Sequence, residues 1–354
     1  MTSSPQIGKE QIELLERLSN ACAVSGDEGE VRSIVLEQVK PYAGEVKVDA
    51  MGNVLVTRWA ASQHAPRVML AAHMDEVGFM LVEKEEGGLF SFQKVGGIDE
   101  RQLAGKPVWV GKKHIPGVIG ARPIHLTDRD ERSKKIPLES LRIDLGPNGG
   151  EGVKPGDWAT FATTFQSMDP SLRGKALDNR LGVATLIELV RHAPENVELL
   201  AAFTVQEEIG LRGARVAAYA LNPDLALVID STPANDLPAW DDSENTRYNT
   251  RLGGGPAIYL ADSATLSDPR LISWLVQTAE SAGIPYQFRQ PGGGGTDAGA
   301  IHRQRMGIPS ISVSVPGRYA HTASMMARLS DWQNTLALLH RALSDFRPEV
   351  LQRA

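Results

Sequence analysis

The sequence predicts an α/β sheet covered by helices on both faces and interrupted by a small all-β insert. From Asp178 onward, helical and strand-like segments alternate, as they do in sheets whose two faces are both packed. Between about residues 76 and 165 the alternation stops, and glycine and proline punctuate short β-like pieces without a helical period. A chain of 354 residues, 42% of them hydrophobic, has room for one large domain and a smaller one.

The elements follow in order. Ile12, Leu15 and Leu18 recur at helical spacing over Lys9 to Ala21. Ser25 and Glu28 form a capping-box pattern ahead of a second helix carrying Val31, Ile34, Val35 and Val39. Val46 and Val48, a turn at Met51-Gly52-Asn53, and Val54 to Val56 read as a hairpin-like pair. Arg67 to Ala72 is a buried strand that ends at His73. In the insert, residues 89–92, 108–110, 118–120 and 158–161 are the β-like pieces. Beyond it come a helix over Asn179 to Arg191, a strand over Val197 to Val205, a helix near Gly213 to Ala220 and a strand over Leu225 to Ile229. Residues 256–261 and Ile311 to Val315 read as strands, Asp268 to Ala282 as a helix, and a last helix follows Ser330.

A formal charge of -6, with no basic cluster beyond the short run Arg132 to Lys135, argues against nucleic acid as the main partner. Cys22 is the only cysteine, so no intramolecular disulfide forms, and its apolar neighbours suggest a small buried side chain. The N-terminus lacks the apolar core of a signal peptide, and no stretch reaches the roughly 18 apolar residues of a membrane span. The expectation is a cytoplasmic protein without a membrane partner.

Five acidic or histidine positions sit where a strand ends or a helix begins: His73, Asp178, Glu208, Asp230 and His321. Ligands collect at the carboxyl edge of strands in open α/β sheets, so residues distant in sequence converge there. Singly, each has an ordinary structural explanation: a hydrogen-bonded histidine, an N-cap at Asp178, a turn at Asp230. The adjacent pair Glu207-Glu208 is harder to explain away. It directly follows a long apolar strand, and a buried carboxylate costs several kcal/mol unless paired or bound to metal. Together the set suits zinc, cobalt or manganese in a polynuclear site. Asp75, two residues beyond His73 on an extended segment, points the same way and is placed to fix the His73 ring. Gly292 to Gly295 lacks the order of a nucleotide loop; it is either a close backbone approach to a ligand or a flexible turn. Asp297 either supports the site or caps a helix.

The segments AAHMDEVG at 71–78, KALDNRLG at 175–182, TVQEEIGLRGA at 204–214, LVIDSTPA at 227–234, GGTDAGAIH at 294–302 and PGRYAHT at 316–322 resemble the tetrahedral aminopeptidases. That family includes glutamyl and deblocking aminopeptidases, and some members carry an endoglucanase label. The resemblance spans nearly the whole chain. It implies a mixed central sheet flanked by helices, with 1–75 and 166–354 as a discontinuous catalytic domain. Residues 76–165 would be an inserted barrel-like dimerisation domain. It further implies two divalent metal ions per subunit, Zn2+ or Co2+ with Mn2+ as a third option. Asp178 would bridge them, His73 and Asp230 would complete one ion's ligands, and Glu208 and His321 the other's. Glu207 resembles the general base, Asp75 supports His73, and the Asp178–Asn179 peptide is expected to be cis. Peptides are the implied substrates, and dimers building a tetrahedral dodecamer the implied assembly. One departure stands out: Thr322-Ala323-Ser324-Met325 follows His321 where the family commonly has Ser-x-x-Glu. A deacylase or dipeptidase with the same centre, a glycanase, and a non-catalytic assembly protein are the competing functions.

Overall fold

The long apolar runs become the centre of a mixed sheet. The computed structural model describes residues 4–147, 149–237 and 250–352. It begins with helices α1 (Lys9–Asn20) and α2 (Gly29–Val39), then strands β1 (Glu45–Val48), β2 (Val54–Arg58) and β3 (Arg67–His73). The insert supplies β4 (Gly78–Lys84), β5 (Leu89–Val95), β6 (Pro107–Val110), β7 (Ile115–Gly120), the short helix α3 (Arg129–Ser133), β8 (Arg142–Asp144) and β9 (Trp158–Phe161). The chain then returns through β10 (Gln166–Met168), β11 (Ser171–Gly174), α4 (Leu177–Arg191), β12 (Glu198–Thr204), α5 (Arg212–Leu221) and β13 (Leu225–Pro233). It ends with β14 (Ala257–Tyr259), α6 (Pro269–Ala282), β15 (Gln287–Arg289), α7 (Ala298–Ile301), β16 (Ser310–Arg318), β17 (Met325–Arg328) and α8 (Leu329–Ser344).

Among the described residues the main sheet runs β1-β2-β12-β3-β13-β16-β17-β11-β10, with β14 and β15 off this path. Its central strands β12, β3, β13 and β16 are parallel, and antiparallel strands flank them on both sides. Alternate residues of β3 serve opposite faces. Val68, Leu70 and Ala72 pack with Leu15, Val35 and Leu181 of α1, α2 and α4, while Met69 and Ala71 pack with Ala217 and Ile301 of α5 and α7. Both faces are dry, which is why these strands read as unbroken apolar runs. The insert closes on itself as the barrel β4-β5-β8-β7-β6-β9. The Phe79 ring fills it, meeting Phe92 and Phe161 edge-on, each with centroids 5.2 Å away.

Several local expectations change. Strands β4 and β8 carry no clear alternation and were not anticipated, and α3 is a capped turn of exposed residues inside an otherwise all-β segment. Strands β13 and β16 run past Ile229 and Val315 because they pair with each other as far as Pro233 and Gly317. Asp230 therefore lies within a strand rather than closing one. The Ser25–Glu28 capping box does not form. Ser25 Oγ instead donates to Asp75 Oδ2 at 2.6 Å, since a buried ionised carboxylate is a stronger acceptor than a helix end is a donor. Cys22 is half-buried, with Thr160 Oγ1 at 3.2 Å from its sulfur, rather than an apolar filler.

A buried ion cluster ties the domain together beneath the strand edge. The Glu76 carboxylate lies 2.7 Å from Lys175 Nζ and 3.0 Å from Arg180 Nη2, and accepts the Ala23 N–H at 3.0 Å. Lys175 also donates to the Ala21 carbonyl, and Arg180 to those of Leu18 and Met74. One knot thus joins the end of α1, the exit of β3 and the entry to α4. Glu76→Gln leaves two cations without their counter-charge in a dry site, and chemical denaturation should show a loss of about 3–5 kcal/mol. A loss under about 1 kcal/mol would mean that water reaches the cluster.

Candidate metal centre

Three parallel strands end at one edge and deliver the candidate ligands. His73, the last residue of β3, pairs with Thr204, the last of β12. Val228 pairs with Ala71, so Asp230, two residues further along β13, comes level with His73 on the same face. Glu207 and Glu208 follow β12 after Gln206, whose φ is +56°. Ala176, two residues before Asp178, and His321 itself also hold left-handed backbone, at φ +54° and +58°. Such conformations cost a non-glycine residue about 1 kcal/mol or more and persist only where the surroundings over-determine them. The Asp178–Asn179 peptide is cis. Asn179 Nδ2 donates to the Ile229 carbonyl at 2.7 Å, locking the segment that carries Asp178 to the strand that carries Asp230. A Cβ at Gly182 would fall 2.2 Å from Asn179 Oδ1, so glycine is required there.

All five predicted ligands converge, in two groups that share Asp178. In one, His73 Nε2 lies 3.4 Å from both Asp178 Oδ1 and Asp230 Oδ1. In the other, His321 Nε2 lies 3.4 Å from both Asp178 Oδ2 and Glu208 Oε2. These gaps are too long for good hydrogen bonds. They equal the edge of about 3.4 Å that bonds of about 2.0–2.1 Å make around a tetrahedral ion. The donor set therefore fits two divalent cations, each with three protein ligands. Glu207 forms a further metal-capable trio with His73 and Glu208, but lies outside the two groups that share Asp178.

The next layer fixes these side chains. His73 Nδ1 lies 3.2 Å from the Asp75 backbone carbonyl and 3.5 Å from Asp75 Oδ1. The shorter contact is thus to the main chain, not to the carboxylate expected to hold the ring. The carboxylate has other bonds as well: besides Ser25, it accepts the N–H groups of Glu207 at 3.0 Å and Glu208 at 3.1 Å. His321 Nδ1 is 2.8 Å from the carbonyl of Gly97, a residue of the barrel. Sequence reasoning missed Gly97, because nothing local marks a carbonyl donated from the insert. Asp297 makes no cap bond to α7; its carboxylate accepts from Thr204 Oγ1 at 2.5 Å, at the end of β12.

Burial and mutual repulsion dominate the electrostatics. Burial first, then Asp230 and Glu208, hold Glu207 well above the usual carboxylate range. Burial, with Asp178 and Asp75, pushes Glu208 up to about 8. Burial raises Asp297 to about 7, with Asp230 and Asp75 adding to it. Burial opposes charge on His321, yet Asp178 and Glu208 lift it to about 10. Asp178 is buried too, but the two imidazoles hold it below its ordinary value. The centre opens into a groove of about 620 Å³ lined on its far side by Tyr259, Ser263 and Gly293 to Gly295. The glycine run thus presents backbone to whatever the groove admits.

Residues 52–338 match the M42 glutamyl aminopeptidase family. The chain belongs to that family. M42 membership makes it a metal-dependent aminopeptidase, a hydrolase of peptide bonds. A putative aminopeptidase of Acetivibrio thermocellus is 34% identical over 340 residues, covering 95% of this chain and 99% of the relative. The crystal structure of the TET aminopeptidase of the Thaumarchaeota archaeon SCGC AB-539-E09 superposes with a TM-score of 0.91 at 33% identity, covering 96% of this chain and 98% of that one. The TET1 peptidase of Pyrococcus horikoshii, which can assemble into a tetrahedron or a large octahedral shell, superposes with a TM-score of 0.83 at 32% identity, covering 95% and 100%. The fold predicted from the motifs is the fold of these M42 structures.

Two outcomes follow from this geometry. Metals bind deprotonated ligands, whereas Glu208 at about 8 and His321 at about 10 hold protons at neutral pH in the metal-free chain. Loading must expel them, so apparent affinity rises with pH through this window and falls as the solution is acidified. Calorimetric titration in buffers of different ionisation enthalpy should show net proton release at neutral pH; none would contradict the assigned ligands. Asp75→Asn, which disturbs both His73 and the Glu207-Glu208 turn, should weaken metal binding by about 10–100-fold, read by competition with a chromophoric chelator.

Proposed function

We propose that the chain removes N-terminal residues from short peptides by water attack at a centre of two divalent ions. The ions would be Zn2+ or Co2+, with Mn2+ also suited to the donors. The observation that carries this is Glu207: a buried carboxylate against a ligand set that is complete without it. His73 and Asp230 would hold one ion, Glu208 and His321 the other, and Asp178 both. When bound, the ions supply Lewis acidity to the scissile carbonyl and acidify the attacking water.

The chain's own groups account for the proton traffic and the positioning. Glu207 takes the proton of the attacking water and returns it to the leaving amine. Asp75 keeps Glu207 and Glu208 facing the centre through their backbone N–H groups. Carboxylates beside the centre attract a free α-amino group, which favours exopeptidase action. The groove's lining offers Tyr259 as its aromatic residue, a poor platform for a sugar chain, so peptide is favoured over glycan.

The same reading divides the chain into a catalytic domain of residues 1–75 and 166–354 and a barrel domain of residues 76–165 that serves dimerisation. Dimers would assemble into a tetrahedral dodecamer, supported by the assembly of the Pyrococcus horikoshii relative. A cytoplasmic location accords with the lone cysteine; among the described residues no helix is long and apolar enough to cross a membrane.

Glu207→Gln should retain both ions by elemental analysis while turnover falls by about 10²–10⁴-fold. Loss of metal instead would exchange the roles of Glu207 and Glu208. A panel of acidic, basic and apolar aminoacyl-anilides should reveal chelator-sensitive hydrolysis with at least one unblocked residue; none, with the centre fully loaded, would refute the proposal.

A further inference from the structure

A second group of metal-binding side chains lies outside the peptidase centre, where the barrel meets the larger domain. Cys22 follows α1, Glu30 lies in the first turn of α2, and His114 sits on the turn between β6 and β7. The N-terminal segment and the distant β6–β7 turn thus bring a sulfur, a carboxylate oxygen and an imidazole nitrogen within 4.8 Å of one another. All three residues are partly buried.

In the metal-free chain these donors are held by contacts with one another and with Thr160. Glu30 Oε1 lies 2.7 Å from His114 Nε2, while Oε2 accepts the Cys22 N–H at 2.9 Å. Thr160 Oγ1, from β9, stands 3.2 Å from Cys22 Sγ, placed to donate to a thiolate. His114 reaches the cluster from the left-handed position, φ +48°, that closes the short β6–β7 hairpin loop. In the metal-free chain the Glu30–His114 pair accounts for two of the three residues and the Thr160 hydroxyl partners the thiol; the observation that carries the site is the meeting of sulfur, carboxylate and imidazole. The nearby Lys112 pairs with Asp27, so its charge is already met and does not oppose a cation.

We propose that Cys22, Glu30 and His114 form a third metal site, of the zinc type, bridging the barrel and the peptidase domain. A thiolate, an imidazole and a carboxylate are the donors that zinc takes, with water as the fourth ligand. Bonds of about 2.0–2.3 Å require donor separations of about 3.3–3.8 Å. The Glu30–His114 pair opens slightly and the sulfur closes in, shifts that half-exposed side chains make by rotation. Burial raises the Cys22 thiol in the metal-free chain, so binding displaces its proton.

Cobalt tests this without reference to activity. Cys22 is the only cysteine in the sequence, and no ligand of the peptidase centre is sulfur. A near-ultraviolet thiolate-to-cobalt charge-transfer band can therefore arise only at this site. Metal-free full-length protein, kept reduced by a phosphine, is titrated with Co2+. The expected result is three equivalents bound per chain and the band in the wild type, against two equivalents and no band in Cys22→Ser. His114→Ala should weaken the third site by more than about tenfold while leaving the other two equivalents bound. Absence of the band at excess cobalt overturns the proposal, as does equal stoichiometry in wild type and Cys22→Ser. Should Cys22→Ser misfold, the wild-type band and the His114→Ala titration decide the matter. The band and the one-equivalent difference between wild type and variant do not depend on the peptidase assignment, whereas the totals of three and two rest on the proposed two-ion centre. Loss of activity alone would mimic neither the band nor the difference.

Discussion

Burying negative charge at the carboxyl edge of a dry sheet is the constraint around which this protein is organised. A carboxylate there must find a positive partner or give up its charge. The chain meets that requirement in two ways a few residues apart. Glu76 is matched by Lys175 and Arg180, both protein cations. Asp178, Glu208 and Asp230 have no lysine or arginine partner among the described residues, only His73 and His321 at 3.4 Å. The first cluster is self-sufficient and structural. The second lacks such cations, and burial together with the neighbouring carboxylates raises Glu207, Glu208 and Asp297 above the usual carboxylate range.

Much of this was legible in the sequence, for physical reasons. Strands buried on both faces must be apolar throughout, so β3, β12 and β13 announce themselves, and a charged residue at the end of such a run is conspicuous. That logic singled out His73, Asp230 and the Glu207-Glu208 pair, Asp178 stood out at a helix start and His321 after a strand, and the division of roles among them came from the resemblance. What it could not reach was anything set by partners distant in sequence. Ser25 looks like a cap because its neighbours fit the pattern, yet Asp75, 50 residues away, takes its hydroxyl. Strands β4 and β8 exist because the barrel must close, not because their own residues alternate. Asp297 was open between a cap and a support, and the Thr204 hydroxyl decided it.

Asp75 shows how one residue can organise several. Its carboxylate gathers Ser25 and the two N–H groups of the Glu207-Glu208 turn, and its carbonyl takes the contact with His73. His73, Glu207 and Glu208 are therefore held by a single side chain and its own backbone. Motif positions are usually judged by what they could ligate. Here a residue outside the candidate ligand groups sets the mutual orientation of His73, Glu207 and Glu208.

The bond from His321 to the Gly97 carbonyl crosses from one folded unit to another. The ring's tautomer is set by an atom that the larger domain does not own. Transplanting the α/β domain without its barrel, or exchanging barrels between relatives, would therefore carry over all five candidate ligands and still remove the carbonyl that holds the His321 ring. The segment between β5 and β6 looks like an ordinary surface connection, but its length and path are bound by the demands of an active site. A designer choosing where to cut, graft or insert in this chain should treat that connection as interior.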